Sequence, residues 1–203
     1  RARRKEFYTR IGITPEKLRM RPHATDELAH YSKACVDVEY EFPFGWKELE
    51  GIANRSNFDL IQHAKFSGKE LSIFDEETKK AYVPHVIECS VGIDRLFLTL
   101  LFDSYYEDEV EGEPRVALRL HPLIAPITAS VLPLTNKLIE QTEPIYQQLK
   151  KAGISAQFDT TGSIGKRYRR QDEIGTPVCF TFDFNSLDDG CVTARNRDTL
   201  AQE

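Results

Sequence analysis

The sequence predicts two domains of different class: an α+β portion over residues 1–117, and a small α/β domain with a mainly parallel or mixed sheet over residues 118–203. Three observations carry this. As far as about residue 106 the apolar pattern is mostly that of antiparallel strands, with period-2 alternation in "CVDVEYEFPFGW", and a long apolar helix closes the run. The segment "EDEVEGEPRV", Glu107 to Val116, is acidic and carries Gly112 and Pro114, which marks it as the linker. Beyond it, strands and helices alternate at short spacing, the signature of a parallel α/β layer.

In order, residues 2–9 read as a helix stopped by Gly12, and Thr14-Pro15 as a cap with proline at the first position of a short turn. "PHATDELAHYSKA" is a polar segment around a short helix. In "CVDVEYEFPFGW" Val36, Val38 and Tyr40 share one face of a half-buried strand, and Asp37, Glu39 and Glu41 the other. "WKELEGIANRS" is the next strand, on which alternation puts Glu48 with Glu50 and Lys47 with Leu49 and Gly51. "FDLIQHAKFSG" is a helix ended by Gly68. "KELSIFDEETKKAYVPHVIEC" is a hairpin turning at "DEETKK" and running into a further strand, followed by a buried helix over residues 93–106. After the linker come a strand "ITASVLPL", an amphipathic helix closed by Gly153, a strand "ISAQFDTT", a Gly-bounded basic helix "GSIGKRYRRQDEIG", and strands "PVCFTFDF" and "CVTARNR". "RDTLAQE" reads as the first turn of a helix with Asp198 as its N-cap, and both ends of the chain read as cut.

With 203 residues, 40% hydrophobic and 29% charged, the chain can bury an ordinary core. A net charge of −5 excludes a generally basic nucleic-acid binder, but bases cluster locally, four of them in "KRYRR", Lys166 to Arg170. Cys35, Cys89, Cys179 and Cys191 are far apart without a CxxC pair, which reads as reduced thiols in a cytoplasmic protein. No apolar run has the length of a membrane span. His23, His30, His63, His85 and His121 show no metal-ligand spacing, and P-loop, GxGxxG and GxSxG patterns are absent.

The chemistry concentrates in "VIECSVGIDRLFLTLLF", Val86 to Phe102. Glu88 and Ser90 lie two apart on a strand and share a face among apolar neighbours; a recessed carboxylate beside a hydroxyl suits a small cation such as an amine. Gly92 lets a ligand approach the backbone. Arg95 stands near a helix N-terminus, against the dipole, which is reasonable if it faces a phosphate. The alternative is a Glu88–Arg95 pair that merely ties strand to helix. Glu48 and Glu50 could hold Mg²⁺ with substrate phosphates, or be a wet face. In the basic helix, bases with Tyr168 interleaved suit an RNA backbone and a stacked base, and Gln171, Asp172 and Glu173 could read base edges; a solvated face is the plainer reading.

Order and wording together say more. "DELAHYSKACVDVEYEFPFGWKELEGIANRSNFDL", "VPHVIECSVGIDRLFLTLL", "RLHPLIAPITASVLPL" and "GSIGKRYRRQDEIGTP" resemble the C-terminal part of the glycyl-tRNA synthetase family, class II aminoacyl-tRNA synthetases with an anticodon-binding domain, over almost the whole chain. "VGIDR" is similar to motif 3 of class II enzymes, and "GSIGKRYRRQDEIG" to the anticodon domain shared with the prolyl, threonyl and histidyl enzymes.

The resemblance implies ATP-dependent activation of glycine and its transfer to the 3′ end of glycine tRNA by positioned charge, with no protein nucleophile. It implies a class II antiparallel catalytic sheet over residues 1–117 and an anticodon-binding domain over residues 118–203. ATP would lie against Glu48, Leu49, Gly92, Ile93, Asp94 and Arg95, with Mg²⁺ carried by ATP held at Glu48. Glycine would lie against Glu88, Cys89, Ser90, Val91 and Gly92, its ammonium on Glu88 and larger side chains excluded by Ser90. Lys166, Arg167, Arg169, Arg170, Asp172 and Glu173 would face the anticodon. Partners would be glycine, ATP, glycine tRNA and, in the longer protein, a second copy of the chain in a homodimer. Cys89 stands where the family more often has proline, and nothing resembles motifs 1 and 2, so the chain alone is expected to be inactive. The competing reading is a non-catalytic tRNA-binding accessory protein that reuses the fold; retention of Glu48, Glu88, Ser90 and Arg95 argues against it.

Overall fold

The structure, a computed structural model, describes residues 2–110 and 112–203. It divides into two compact units, residues 1–99 and 100–203.

In the first unit a nine-residue helix α1 (Ala2–Arg10) precedes β1 (Leu18–Pro22), β2 (Ala34–Phe42) and β3 (Gly45–Ser56). Helix α2 (Phe58–Ser67) ends at Gly68, which takes the left-handed conformation at φ +68° that favours glycine. A small hairpin of β4 (Ile73–Asp75) and β5 (Lys80–Tyr82) leads to β6 (Val86–Val91), and α3 (Ile93–Ser104) follows. The sheet order is β1-β2-β3-β6, antiparallel throughout. Val36, Val38, Tyr40 and Phe42 are buried on one face of β2, as the alternation predicts, and the core of the unit also takes in Tyr8, Ile13, Leu18 and Leu49. This antiparallel sheet is the expected α+β architecture.

Helix α3 departs from expectation. It ends at Ser104, and it is not buried: Ile93 is 74% and Phe97 62% exposed. An apolar stripe shows that a helix has a side to bury, not what covers it. The expected linker is also replaced. β7 (Tyr105–Val110) and β8 (Glu113–Leu118) pair as an antiparallel hairpin, with Gly112 at φ +81° near the turn. Arg115 anchors the hairpin: buried, it donates through Nη1 to the Arg197 carbonyl (2.8 Å) and approaches Asp172 Oδ2 (3.3 Å). The hairpin therefore belongs to the second unit, and the division falls inside α3 instead of at residue 117.

The second unit continues with β9 (Ala129–Pro133), α4 (Ile139–Lys151), β10 (Ala156–Phe158), α5 (Ile164–Ile174), β11 (Val178–Phe182), the four-residue α6 (Ser186–Asp189) and β12 (Thr193–Asn196). Its sheet order is β10-β9-β11-β12, with β9, β10 and β11 parallel and β12 antiparallel, the mixed sheet expected. Ala129, Val131, Leu132 and Cys179 are buried within it. Gly175 ends α5 at φ +85°, and a Cβ there would lie 2.7 Å from Leu120 Cδ1 and 3.0 Å from the Leu118 carbonyl, so no other residue fits. Residues 198–203 do not start a helix. The chain turns back along β12, with Asn196 N–H on the Ala201 carbonyl (3.0 Å) and a bridge between Arg195 and Gln202.

Candidate functional site

A bulge gives the antiparallel sheet two unlike faces. The register of β2 against β3 shifts between Val38 and Glu39: Val38 faces Glu50, Glu39 faces Glu48, and Leu49 is the extra residue. Glu48 and Glu50 are therefore on opposite faces, against the simple alternation. Glu50 lies on the core side, fully buried, where Tyr8 Oη (2.7 Å) and Arg4 Nε (2.9 Å) donate to it. Burial, then the Glu50 carboxylate, push the Tyr8 phenol up. Glu48 stays exposed on the other face, beside Gly51. A Cβ at Gly51 would lie 3.5 Å from Glu48 Oε1 and 4.0 Å from Asp37 Oδ1, so the bare glycine leaves the surface between these carboxylates clear.

That second face is rich in charge. Arg19 pairs with Glu39 (2.5 Å) beneath a contact with the Trp46 ring (4.4 Å), and Arg21 pairs with Glu27 (2.5 Å). Glu88 and Ser90 come to the same face on β6, where they face Ala53 and Gly51. Their small neighbours on β3 open the sheet above them. Glu88 is less recessed than its sequence suggests, its side chain 41% exposed, and its partner is Arg55 at 2.7 Å. Arg55 also grips Asp59 (2.6 and 3.0 Å) and lies on the Tyr31 ring (4.0 Å). Asp59 first, then Glu88, push the Arg55 guanidinium up. The Glu88–Arg95 tie does not form: Arg95 is exposed and donates through Nη1 to the Glu48 carbonyl (2.7 Å). Cys89 and Val91 alternate to the opposite face from Glu88 and Ser90, so only their backbone could serve a ligand there.

An open cleft of about 740 Å³ lies where β3, β6 and the start of α3 meet. It is lined by Ser90, by Leu98, and by all six residues expected at a nucleotide: Glu48, Leu49, Gly92, Ile93, Asp94 and Arg95. Glu88 does not line it but sits one Cβ alternation along the strand from Ser90. Two contributors escaped the sequence reading. Leu98 stands one helical turn beyond Asp94, a spacing that could have flagged it. Arg55 was hidden at a strand end, though its i,i+4 spacing to Asp59 was readable.

In the second unit the basic helix α5 divides differently from expectation. Lys166 and Glu173 are exposed and Arg169 partly so; Arg170 bonds Asp159 Oδ2 (2.7 Å) and the Thr161 carbonyl (2.5 Å). Arg167 is buried and spends its guanidinium on the carbonyls of Pro133 and Thr160 and on Asn136 Oδ1. Burial pushes its pKa down. Asp172 is wholly buried, held in a two-pronged pair by Arg195 (2.9 Å twice). Arg167 and Asp172 thus cannot meet an anticodon, because both are used to fix α5 to the sheet. Gln171 is buried on Gln157 and Thr176. Tyr168 is not free to stack: its hydroxyl meets Thr181 Oγ1 (2.5 Å) and the Arg195 guanidinium covers its ring (4.6 Å).

Over 193 residues the chain is 56% identical to the glycine–tRNA ligase of Acetivibrio thermocellus, covering 95% of this chain and 42% of that protein. The glycine–tRNA ligase of Caldanaerobacter subterraneus subsp. tengcongensis is 54% identical over 197 residues, 97% of this chain and 42% of that one. The chain belongs to the glycyl-tRNA synthetase family. It spans about two-fifths of the length of these relatives. Residues 128–203 match the family described as Anticodon binding domain, which covers the parallel sheet of the second unit but not its hairpin. The fold is similar to prolyl-tRNA synthetase from Cryptosporidium parvum, solved with L-proline and AMP, with a TM-score of 0.68 at 14% identity over 100% of this chain and 42% of that one. An antiparallel sheet followed by a small mixed-sheet unit is thus a class II synthetase arrangement. No helix among the described residues is long and apolar enough to cross a membrane.

Proposed function

We propose that the chain carries part of the activating site of a glycine–tRNA ligase on its first unit and a tRNA-reading surface on its second. The observation that carries this reading is the gathering of Glu48, Ser90, Gly92 and Arg95 around one cleft, with Glu88 on the same strand face, in a chain 56% identical to a glycine–tRNA ligase. The reaction has two steps. A glycine carboxylate oxygen attacks the α-phosphorus of ATP, the bond to the β-phosphate oxygen breaks, and pyrophosphate leaves. The 3′-terminal hydroxyl of glycine tRNA then attacks the carbonyl carbon, its proton is lost, and AMP leaves. Positioned charge is what such steps require.

Glu88 receives the ammonium of glycine, which replaces Arg55 at one carboxylate oxygen. Ser90 crowds the space a side chain would need; attraction alone distinguishes a methyl group by only about 1–3 kcal/mol, so the smallest amino acid must be selected by exclusion. The backbone of Cys89, Val91 and Gly92 borders the amino acid. Arg95 carries its charge on an exposed guanidinium at the cleft and meets phosphate oxygens. Leu49, Ile93 and Asp94 complete the nucleotide side. Glu48, an exposed carboxylate that pairs with no cation among the described residues, is an oxygen donor suited to Mg²⁺ carried on ATP phosphates. On the second unit the exposed Lys166 and Glu173 and the partly exposed Arg169 remain available to tRNA, and Arg170 would have to share its guanidinium with Asp159. In its complete form the protein works as a homodimer in the cytoplasm.

The test is glycine-dependent ATP–pyrophosphate exchange in the complete protein. Glu88→Gln removes the charge that meets the ammonium and lowers exchange by on the order of 100-fold; unchanged exchange rejects the assignment. Ser90→Gly raises alanine activation, and a constant alanine rate rejects crowding by Ser90.

A further inference from the structure

We propose that His23, Cys35 and Asp37 form a binding site for a thiophilic divalent cation of the Zn²⁺ class on the open face of the first sheet. The three residues come from two strands. His23 lies just past β1, and its N–H donates to the Cys35 carbonyl (3.0 Å), which makes the two cross-strand neighbours. Asp37 is two residues along β2 from Cys35 and shares its face. Their ligating atoms all lie within 4.8 Å of one another, with His23 Nε2 at 2.7 Å from Asp37 Oδ2. Bonds of about 2.0–2.3 Å to a tetrahedral ion ask for donor separations somewhat over 3 Å, which small rotations about these side chains reach.

The donor set selects the metal. One sulfur, one imidazole nitrogen and one carboxylate oxygen suit Zn²⁺ and disfavour Mg²⁺ and Ca²⁺, which take oxygen alone. Asp37 is 7% exposed, so its charge is drawn out of water and needs a cation. The competing cation is Arg21, 3.7 Å from Asp37 Oδ2, but its shorter bond goes to Glu27 at 2.5 Å. The neighbouring strand leaves room for a fourth ligand: Gly51 faces Asp37 and Ala53 faces Cys35, and the Glu48 carboxylate, 3.5 Å from the Cβ position of Gly51, is the side chain that comes near, so water can complete the sphere. None of the three lines the cleft assigned to the nucleotide, although Glu48, which does, shares the surface around Gly51 with Asp37.

Titration of the metal-free chain with Co²⁺ as probe tests the proposal. One equivalent should raise a thiolate-to-cobalt charge-transfer band and the visible bands of a tetrahedral centre. Cys35→Ser should abolish the ultraviolet band, Cys89→Ser and Cys191→Ser should keep it, and His23→Ala should weaken binding on the order of tenfold or more. No band, or a band that survives Cys35→Ser, overturns the site, as does displacement of Co²⁺ by excess Mg²⁺. Should a variant fail to fold, X-ray absorption of the unaltered chain with one equivalent of Zn²⁺ decides: a single sulfur at about 2.3 Å with nitrogen and oxygen at about 2.0–2.1 Å supports it. A sphere with no sulfur, or with two or more, overturns it.

Discussion

Two charged motifs, one in each unit, are used in opposite ways. On the first, the bulge at Leu49 leaves Glu48 on a wet face, and Arg95 stands exposed with a single bond to a backbone carbonyl. On the second, Arg115, Arg167, Asp172 and Arg195 are all buried, and each makes hydrogen bonds within the fold, Arg167 through its two Nη atoms and not through Nε. Charged residues at the open sheet remain available to a ligand. Those in the mixed sheet join the hairpin, α5 and β12 into one piece. The same residue types in two motifs, "VGIDR" and "KRYRR", thus line an open cleft in one case and serve largely as architecture in the other.

The largest expected effect tests the architectural half. Asp172→Asn leaves Arg195 buried without its carboxylate, which should destabilise the second unit by about 3–5 kcal/mol. The buried Cys179 reports it: its rate of alkylation under native conditions should rise in proportion, while the exposed Cys89 and Cys191 react at once in either protein. The counterpart, Glu48→Gln, should change the unfolding free energy read from urea titration of Trp46 fluorescence by no more than about 0.5 kcal/mol, because Glu48 is exposed and unpaired by any cation among the described residues. Equal losses from the two substitutions would break the contrast.

This contrast also marks what the sequence could and could not carry. Alternation placed Val36, Val38 and Tyr40 on the buried face, Gly68 and Gly175 stopped their helices, and the class II motifs singled out six residues that line one cleft. These are local signals. What escaped was non-local. The bulge that separates Glu48 from Glu50 exists only in the register of one strand against another. The cluster of His23, Cys35 and Asp37 depends on a cross-strand pairing that no linear spacing records. "EDEVEGEPRV" carries the turn residues of a linker and of a hairpin alike, and the buried bond from Arg115 to Arg197 decides between them. Burial of Arg167 and Asp172 was illegible because a helix heavy in charge reads as solvated until its carbonyl and guanidinium partners are known.

A smaller effect comes with pH. Burial pushes the Cys179 thiol up to about 12 from an ordinary value near 9. The unfolded chain therefore releases this proton first as pH rises, so the contribution is complete below pH 9 and declines above it. At pH 10 the loss should be about 1.4 kcal/mol relative to pH 8. Urea unfolding at the two values, compared with Cys179→Ala, isolates this share, since the variant lacks the group. A Cys179→Ala protein with the same alkaline loss would assign it elsewhere, for instance to Tyr168, whose phenol burial also pushes up.

The smallest effect lies between two adjacent residues of one helix. Lys166 is exposed on α5, whereas Arg167 is buried with its bonds made to Pro133, Thr160 and Asn136. If the second unit meets tRNA as proposed, Lys166→Ala should weaken binding uniformly across tRNA sequences and reduce the slope of log affinity against log salt by about 0.7–0.9, the loss of one phosphate contact. Its stability should stay within about 0.5 kcal/mol. Arg167→Met should do the reverse in kind, lowering stability by removing a buried partner of three oxygens while leaving the salt slope of the folded fraction unchanged. Should Arg167→Met lower the slope instead, the buried arginine would have to swing out on binding, and the division between ligand-facing and architectural charge would then hold only for the free protein.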